Sequence, residues 1–180
     1  MLRLFYACLI GLVGAGIVHI AVLLLLPQFS ERDAWSSLAE AGDFYKAVRI
    51  DADGGSPPIV KAAGPLFHAS ACRFDLTNGP VHLRAPGTVP FWSVSIYNRA
   101  GQNVYSFNER ATDRGTLDFV VLTSDQMIEV RKAVPESFQK AIFVQVPIGE
   151  GIVLVRSFVP DPTWEEATSE FLARLACTEE

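Results

Sequence analysis

Residues 4–26 carry no formal charge. At helical rise such a run is about 34 Å long, and a bilayer core of about 30 Å takes about 20 such residues. The run therefore divides the chain into a membrane anchor and one small globular domain. Arg3 stands just before it, and the next basic residue is Arg32. Arg3 and the chain's amine are accordingly expected in the cytoplasm, with residues 27–180 on the far side. A cleaved signal peptide is the competing reading. Its apolar region is about 7–15 residues, and a small-x-small cleavage site follows it. Here the run ends Leu23-Leu24-Leu25-Leu26-Pro27-Gln28, with no such site, which favours an uncleaved signal-anchor. Cys8 follows Phe5-Tyr6-Ala7, a poor setting for a lipoprotein cysteine, and reads as a lipid-facing or packed thiol.

One side of the anchor is distinctive. Ala7, Gly11, Ala15 and His19 recur at four-residue spacing and fall on one helix face, with Gly14 and Val18 beside them. Small residues at that spacing let a second helix approach closely. A neutral His19 near mid-membrane is costly without a hydrogen-bond partner. The face reads either as a helix–helix contact or as the ordinary Gly and Ala content of a membrane span.

Across its 180 residues the chain is 49% hydrophobic and 19% charged, too apolar for disorder and too short for two ordinary domains. Lys+Arg 15 against Asp+Glu 20 leaves a net charge of −5, the wrong sign for a nucleic-acid binder. Ser30 is placed to cap a short helix, with Asp33 reaching back, Trp35, Leu38 and Ala39 as its stripe and Gly42 at its end. Asp51 to Pro58 is a loop by composition; its acidic start hints at calcium, but Ala62 stands where a bidentate Glu is needed. From Cys72 onward short strands dominate. The segment 73–76 precedes a Thr77-Asn78-Gly79-Pro80 turn, and 81–84 alternates. In 91–97 Trp92, Val94 and Ile96 share a face, and Asn98-Arg99-Ala100-Gly101 closes a hairpin with 103–107. Residues 117–122 form a strand, Thr123 or Ser124 caps a helix ended by Pro135, and 142–146 with 152–159 make a second hairpin. Asp161-Pro162 opens a last helix with Trp164, Ala167, Phe171, Leu172 and Leu175 as its buried stripe. Seven short strands with frequent turns imply a mainly antiparallel β-sandwich carrying a C-terminal amphipathic helix. The boundaries are a stub at 1–3, the anchor at 4–26, a juxtamembrane helix and linker at 27–60, and the sandwich with its helix at 61–180.

Few residues offer chemistry. Cys72 and Cys177 lie outside the anchor, where the medium is oxidising, so they are expected to form a disulfide closing a loop of roughly 100 residues. Two independent buried thiols are the alternative. His68 and His82 are the histidines outside the anchor, and either needs a nearby acid to act catalytically. There is no Cys-x-x-Cys, His-Glu-x-x-His or Gly-x-Ser-x-Gly, so no catalytic set, metal site or cofactor is expected. Glu109, Asp113 and Asp118, with Arg110 and Arg114, read as a charged loop between strands. Trp92, Tyr97, Tyr105 and Phe107 on adjacent strands are either sandwich core or a face for a ligand or partner.

The stretches Ala71 to Pro80, Phe91 to Asn103, Val153 to Arg156 and Val159 to Pro162 resemble an uncharacterised bacterial family, domain of unknown function 1254. The resemblance covers roughly 40–177 and is to the short, membrane-anchored branch of alphaproteobacteria. It implies an immunoglobulin-like sandwich in the periplasm, held at the inner membrane. It also implies a partner, a second single-span protein with a 1214-type domain; in other members both domains share one soluble chain. It supplies no catalytic residues. The expected function is therefore an interaction domain in cell-envelope assembly or maintenance. The alternative is a binding module for a lipid, glycan or peptide.

Overall fold

The computed structural model describes residues 2–51, 59, 64, 66–112 and 115–180, with backbone alone at 26–33. Helix α1 runs Leu2–Ala41 without interruption. Its first part, Leu2–Leu25, has a mean hydropathy of 2.6 and is long and apolar enough to cross a membrane. The separate short helix expected from Ser30 is absent: Pro27 lies within α1, so that segment continues the apolar helix. The Ser30 and Asp33 side chains lie outside the described residues, as does the loop at 52–58.

Nine strands follow among the described residues. They are β1 Ala47–Arg49, β2 Phe67–Asp75, β3 Val81–Ala85, β4 Trp92–Asn98, β5 Asn103–Asn108, β6 Leu117–Leu122, β7 Ile142–Gln145, β8 Glu150–Phe158 and β9 Ala176–Glu179. Helix α2 is Ser124–Lys132 and helix α3 is Glu165–Ala173. The strands form a five-stranded sheet, β1-β2-β8-β4-β5, and a four-stranded sheet, β7-β6-β3-β9. Alternation explains how they meet. Cys72, Phe74, Trp92, Val94, Ile96, Val153 and Val155 of the first sheet pack in one core with Val81, Leu83, Leu117, Phe119 and Val121 of the second. The opposite faces are covered too. Leu38 of α1 packs on Ala69, Ala71 and Ile152, while Met127 and Phe138 cover Val120 and Leu122.

Several sequence expectations change here. The strands at 142–145 and 150–158 do not form a hairpin: β7 pairs with β6 and β8 with β2 and β4, so the Pro147–Gly149 segment carries the chain from one sheet to the other. The β6–β7 pair is parallel, which makes the second sheet mixed. A parallel pair needs a crossover, and α2 provides it. Thr123 caps α2 in a reciprocal box with Gln126. Asp161 caps a 3₁₀ turn, Pro162–Trp164, ahead of α3. The buried face of α3 is Thr168, Phe171 and Leu172, with Trp164 and Ala167 exposed, and the last element is β9 rather than a helix. Between β4 and β5 the register shifts, setting Ile96 opposite Tyr105 and Tyr97 opposite Asn103. Val104 is the extra residue of this bulge and packs on the core.

Candidate functional site

The densest set of unusual contacts lies where α1 meets the first sheet. Trp35 and Leu38 project from the last turns of α1 onto the outer face of β2 and β8. Arg73 rises from β2 between two rings, with its guanidinium carbon 4.6 Å from the Phe44 centroid and 5.4 Å from that of Trp35. It is 8% exposed, and its Nη2 donates to the Gly42 carbonyl at 2.8 Å. Arg99, from the β4–β5 turn, lies 5.2 Å from the same Trp35 ring. The desolvated contacts of Arg73 are worth about 2 kcal/mol or more, and that of the exposed Arg99 about 0.5–1 kcal/mol.

The chain between α1 and β1 is shaped to keep this stack closed. A Cβ on Gly42 would stand 2.6 Å from Val48 Cγ2, so glycine lets the helix end against β1. Tyr45 has φ 59, the one positive value at a non-glycine among the described residues. Its N–H donates to the Arg73 carbonyl at 2.9 Å and its hydroxyl to the Asp75 carbonyl at 2.7 Å. Burial, with the charges of Glu179 and Asp75, pushes the Tyr45 phenol up. A backbone held in this region costs roughly 1–3 kcal/mol and persists where surrounding contacts over-determine it.

An ion network ties β1, β2 and α3 at the next corner. Arg49 grips Asp51 through two bonds, Nε–Oδ1 at 2.9 Å and Nη2–Oδ2 at 2.7 Å, and donates to Ser169 at 3.1 Å. Asp51 also accepts from the Ala69 amide. His68 Nδ1 is 2.5 Å from Asp51 Oδ2, and its Nε2 is 2.6 Å from Glu165 Oε1. The imidazolium satisfies both contacts, whereas the neutral ring satisfies one. Both ring nitrogens of His68 thus face carboxylates. Burial pushes the Asp51 carboxyl up, but bonds from Arg49, Ala69 and His68, with the Arg49 charge, hold it below its ordinary value of 3.8.

A pH dependence follows. A depressed carboxyl contributes stability that is complete above its unfolded value and is lost as pH falls through its folded value. Denaturant titrations below about pH 4 should show wild-type stability falling, with Asp51→Asn losing that portion of the slope. An unchanged slope in the variant would exclude Asp51 as its source.

The remaining candidate residues are spread across the molecule. Cys72 and Cys177 form a disulfide joining β2 to β9, and hence one sheet to the other, with Cα atoms 6.6 Å apart. Trp92 is buried, its Nε1 donating to the Gly115 carbonyl at 2.7 Å, and its ring meets Phe107 edge-on at 5.9 Å. Phe107 in turn packs on Phe119 and Tyr105. Tyr97 lies on the other side of the sheet, against the Leu38 cluster. The four aromatics therefore divide between two faces, three on the core side and one under α1. His82 is buried beside Phe138, with Nε2 2.8 Å from Asp118 Oδ1. Ala7, Gly11, Ala15 and His19 are exposed along α1, and nothing stands within 4 Å of a Cβ placed on Gly11 or Gly14. Among the described residues no group of three His, Cys, Asp or Glu converges as a metal site.

Sequence reading found the cysteines and the aromatics but missed Arg73, Arg49 and Asp51 as contact residues. The available signal was an arginine flanked by Cys72 and Phe74 in the strand at 67–75, where a buried charge implies a partner.

The chain belongs to the DUF1254 family, described as a protein of unknown function, which matches residues 67–179. No curated protein matches it. Among solved structures, the VPA0106 protein of Vibrio parahaemolyticus is similar at 14% identity and a TM-score of 0.52, over 64% of this chain and 28% of that one. An uncharacterised protein of Burkholderia cenocepacia is similar at 15% identity and a TM-score of 0.48, over 74% and 36%. The first likeness concerns the fold, and this chain spans under a third of the Vibrio protein's length.

Proposed function

We propose that this chain is a single-pass inner-membrane protein whose periplasmic domain pairs with a second anchored protein. The partner carries a 1214-type domain, and the pair serves envelope assembly or maintenance. The observation that carries the reading is the unbroken α1, which passes from a membrane-length apolar segment into the stack around Arg73. The ten residues from Leu25 to Trp35 amount to about 15 Å of helix, so the domain sits at a set height above the bilayer. Whatever grips the helix in the membrane thereby fixes the domain, and the face of Ala7, Gly11, Ala15 and His19 is exposed among the described residues.

Crosslinking the full chain in its own membrane, followed by mass spectrometry, tests the pairing. One dominant anchored neighbour is expected; self-crosslinks alone would replace the pair with a homo-oligomer. The double substitution Gly11→Leu with Ala15→Leu should abolish most of that crosslink by blocking close helix approach. An undiminished crosslink would move the contact to the domain. Protease added to sealed vesicles of known orientation checks which side the domain occupies.

A further inference from the structure

The second sheet gathers four strand ends on one side. There β3 finishes at Ala85, while β6, β7 and β9 begin at Leu117, Ile142 and Ala176. A groove of about 1120 Å³ crosses these ends. Arg84 of β3 is in register with Asp118 on β6 and Ala176 on β9, and Phe119 is in register with Ile142. Lys140 therefore stands just ahead of β7. The same register sets Ala141 level with Asp118, so Lys140, in the turn before β7, lies one residue beyond the Arg84–Asp118 row and lines the same groove. Arg174, in the turn from α3 to β9, lines a further side, and Thr112 and Thr116 add hydroxyls from the β5–β6 connection.

The charge of this groove opposes that of the chain. A protein of net charge −5 places three cations here around one carboxylate. Arg174 is engaged with Glu170 at 2.8 Å. Arg84 and Lys140 have no ion pair or hydrogen bond from their side chains among the described residues. Opposite charges set across an antiparallel ladder ordinarily pair, yet Asp118 does not turn to Arg84. Its Oδ1 faces His82 Nε2 at 2.8 Å, and His82, 1% exposed, has Glu180 3.7 Å from its other nitrogen. Asp118 keeps its charge in the groove, but its Oδ1 is directed to His82, and neither Arg84 nor Lys140 forms an ion pair with it among the described residues.

We propose that this groove binds a small soluble anion bearing carboxylate or phosphate oxygens, held between Arg84 and Lys140. The guanidinium fork of Arg84 matches two such oxygens, Lys140 supplies a point charge, and the threonine hydroxyls complete the hydrogen bonding. The site lies on the second sheet, away from the α1 junction, and stands whether or not the domain has an anchored partner.

The test is amide NMR of the full chain in uncharged detergent micelles, titrated separately with citrate and pyrophosphate against chloride of equal ionic strength. Shifts are expected at 84, 118 and 140–142. The double variant Arg84→Gln with Lys140→Gln, which retains side-chain length, should weaken binding about tenfold or more, while Arg131→Gln on exposed α2 should not. An intact amide spectrum checks that the variant is folded, and Arg84→Lys serves as a milder second variant, expected to retain part of the affinity. Absence of shifts, shifts reproduced by chloride, or shifts untouched by the double variant would each overturn the site. A response confined to nanodiscs containing phosphatidylglycerol would assign the groove to a lipid headgroup instead and refute the soluble anion.

Discussion

Replacing Cys72 and Cys177 together by alanine should lower the stability of the domain by about 4 kcal/mol. The bond closes a separation of 105 residues, and its loss releases the unfolded chain from that constraint. Its position adds to the effect. Cys72 is 1% exposed on β2 and Cys177 5% exposed on β9, so truncation also opens space within the shared core. Urea unfolding of wild type and double variant, both in the absence of reductant, measures the difference. Equal midpoints and slopes would show that the bond contributes nothing. A second reading is available from the folded protein, where the buried sulfurs should resist reductant until urea unfolds the domain.

Arg73→Ala should cost about 3 kcal/mol and release α1 from the sheet. The side chain makes two ring contacts and one charge-assisted bond to the Gly42 carbonyl, and its removal leaves that carbonyl short of a donor. The β2–β8 ladder does not depend on the guanidinium, so the sheets should remain. Spin labels on the last turn of α1 and on β4 should give one narrow distance in wild type and a broad distribution in the variant. A narrow distribution in Arg73→Ala would place the coupling elsewhere. Trp35→Ala in the same background should add little, because both residues belong to one stack.

These two sites differ in how far the sequence announced them. Two cysteines outside an apolar anchor leave one intrachain pairing, so the bond was legible from count and compartment. Arg73 was not, because its partners, Trp35, Gly42 and Phe44, lie 29 to 38 positions away across a loop whose composition suggested only a linker. Alternation at Trp92, Val94 and Ile96 correctly gave an inward face, since one-sided burial imposes a period of two. The stretches 142–146 and 152–159 suggested a hairpin around the turn residues 147–151, because a turn between two strands does not record which strand lies alongside. The groove was least visible. Arg84, Asp118 and Lys140 are far apart in the chain, and only the order β7-β6-β3 brings them to one groove. Trp164 suited a buried stripe by composition, but the 3₁₀ turn before α3 rotates it outward.

The placement of β8 and β9 governs when this domain can form. In the first sheet β8 lies between β2 and β4, and in the second β9 borders β3. A chain that has emerged only as far as β7 therefore holds β2 and β4 with no strand between them, and half of the disulfide. Assembly must wait until residues 150–179 arrive, so the early strands spend the whole of synthesis with open edges. Folding is deferred to the end of synthesis, and the nascent chain needs shielding from its neighbours throughout that interval.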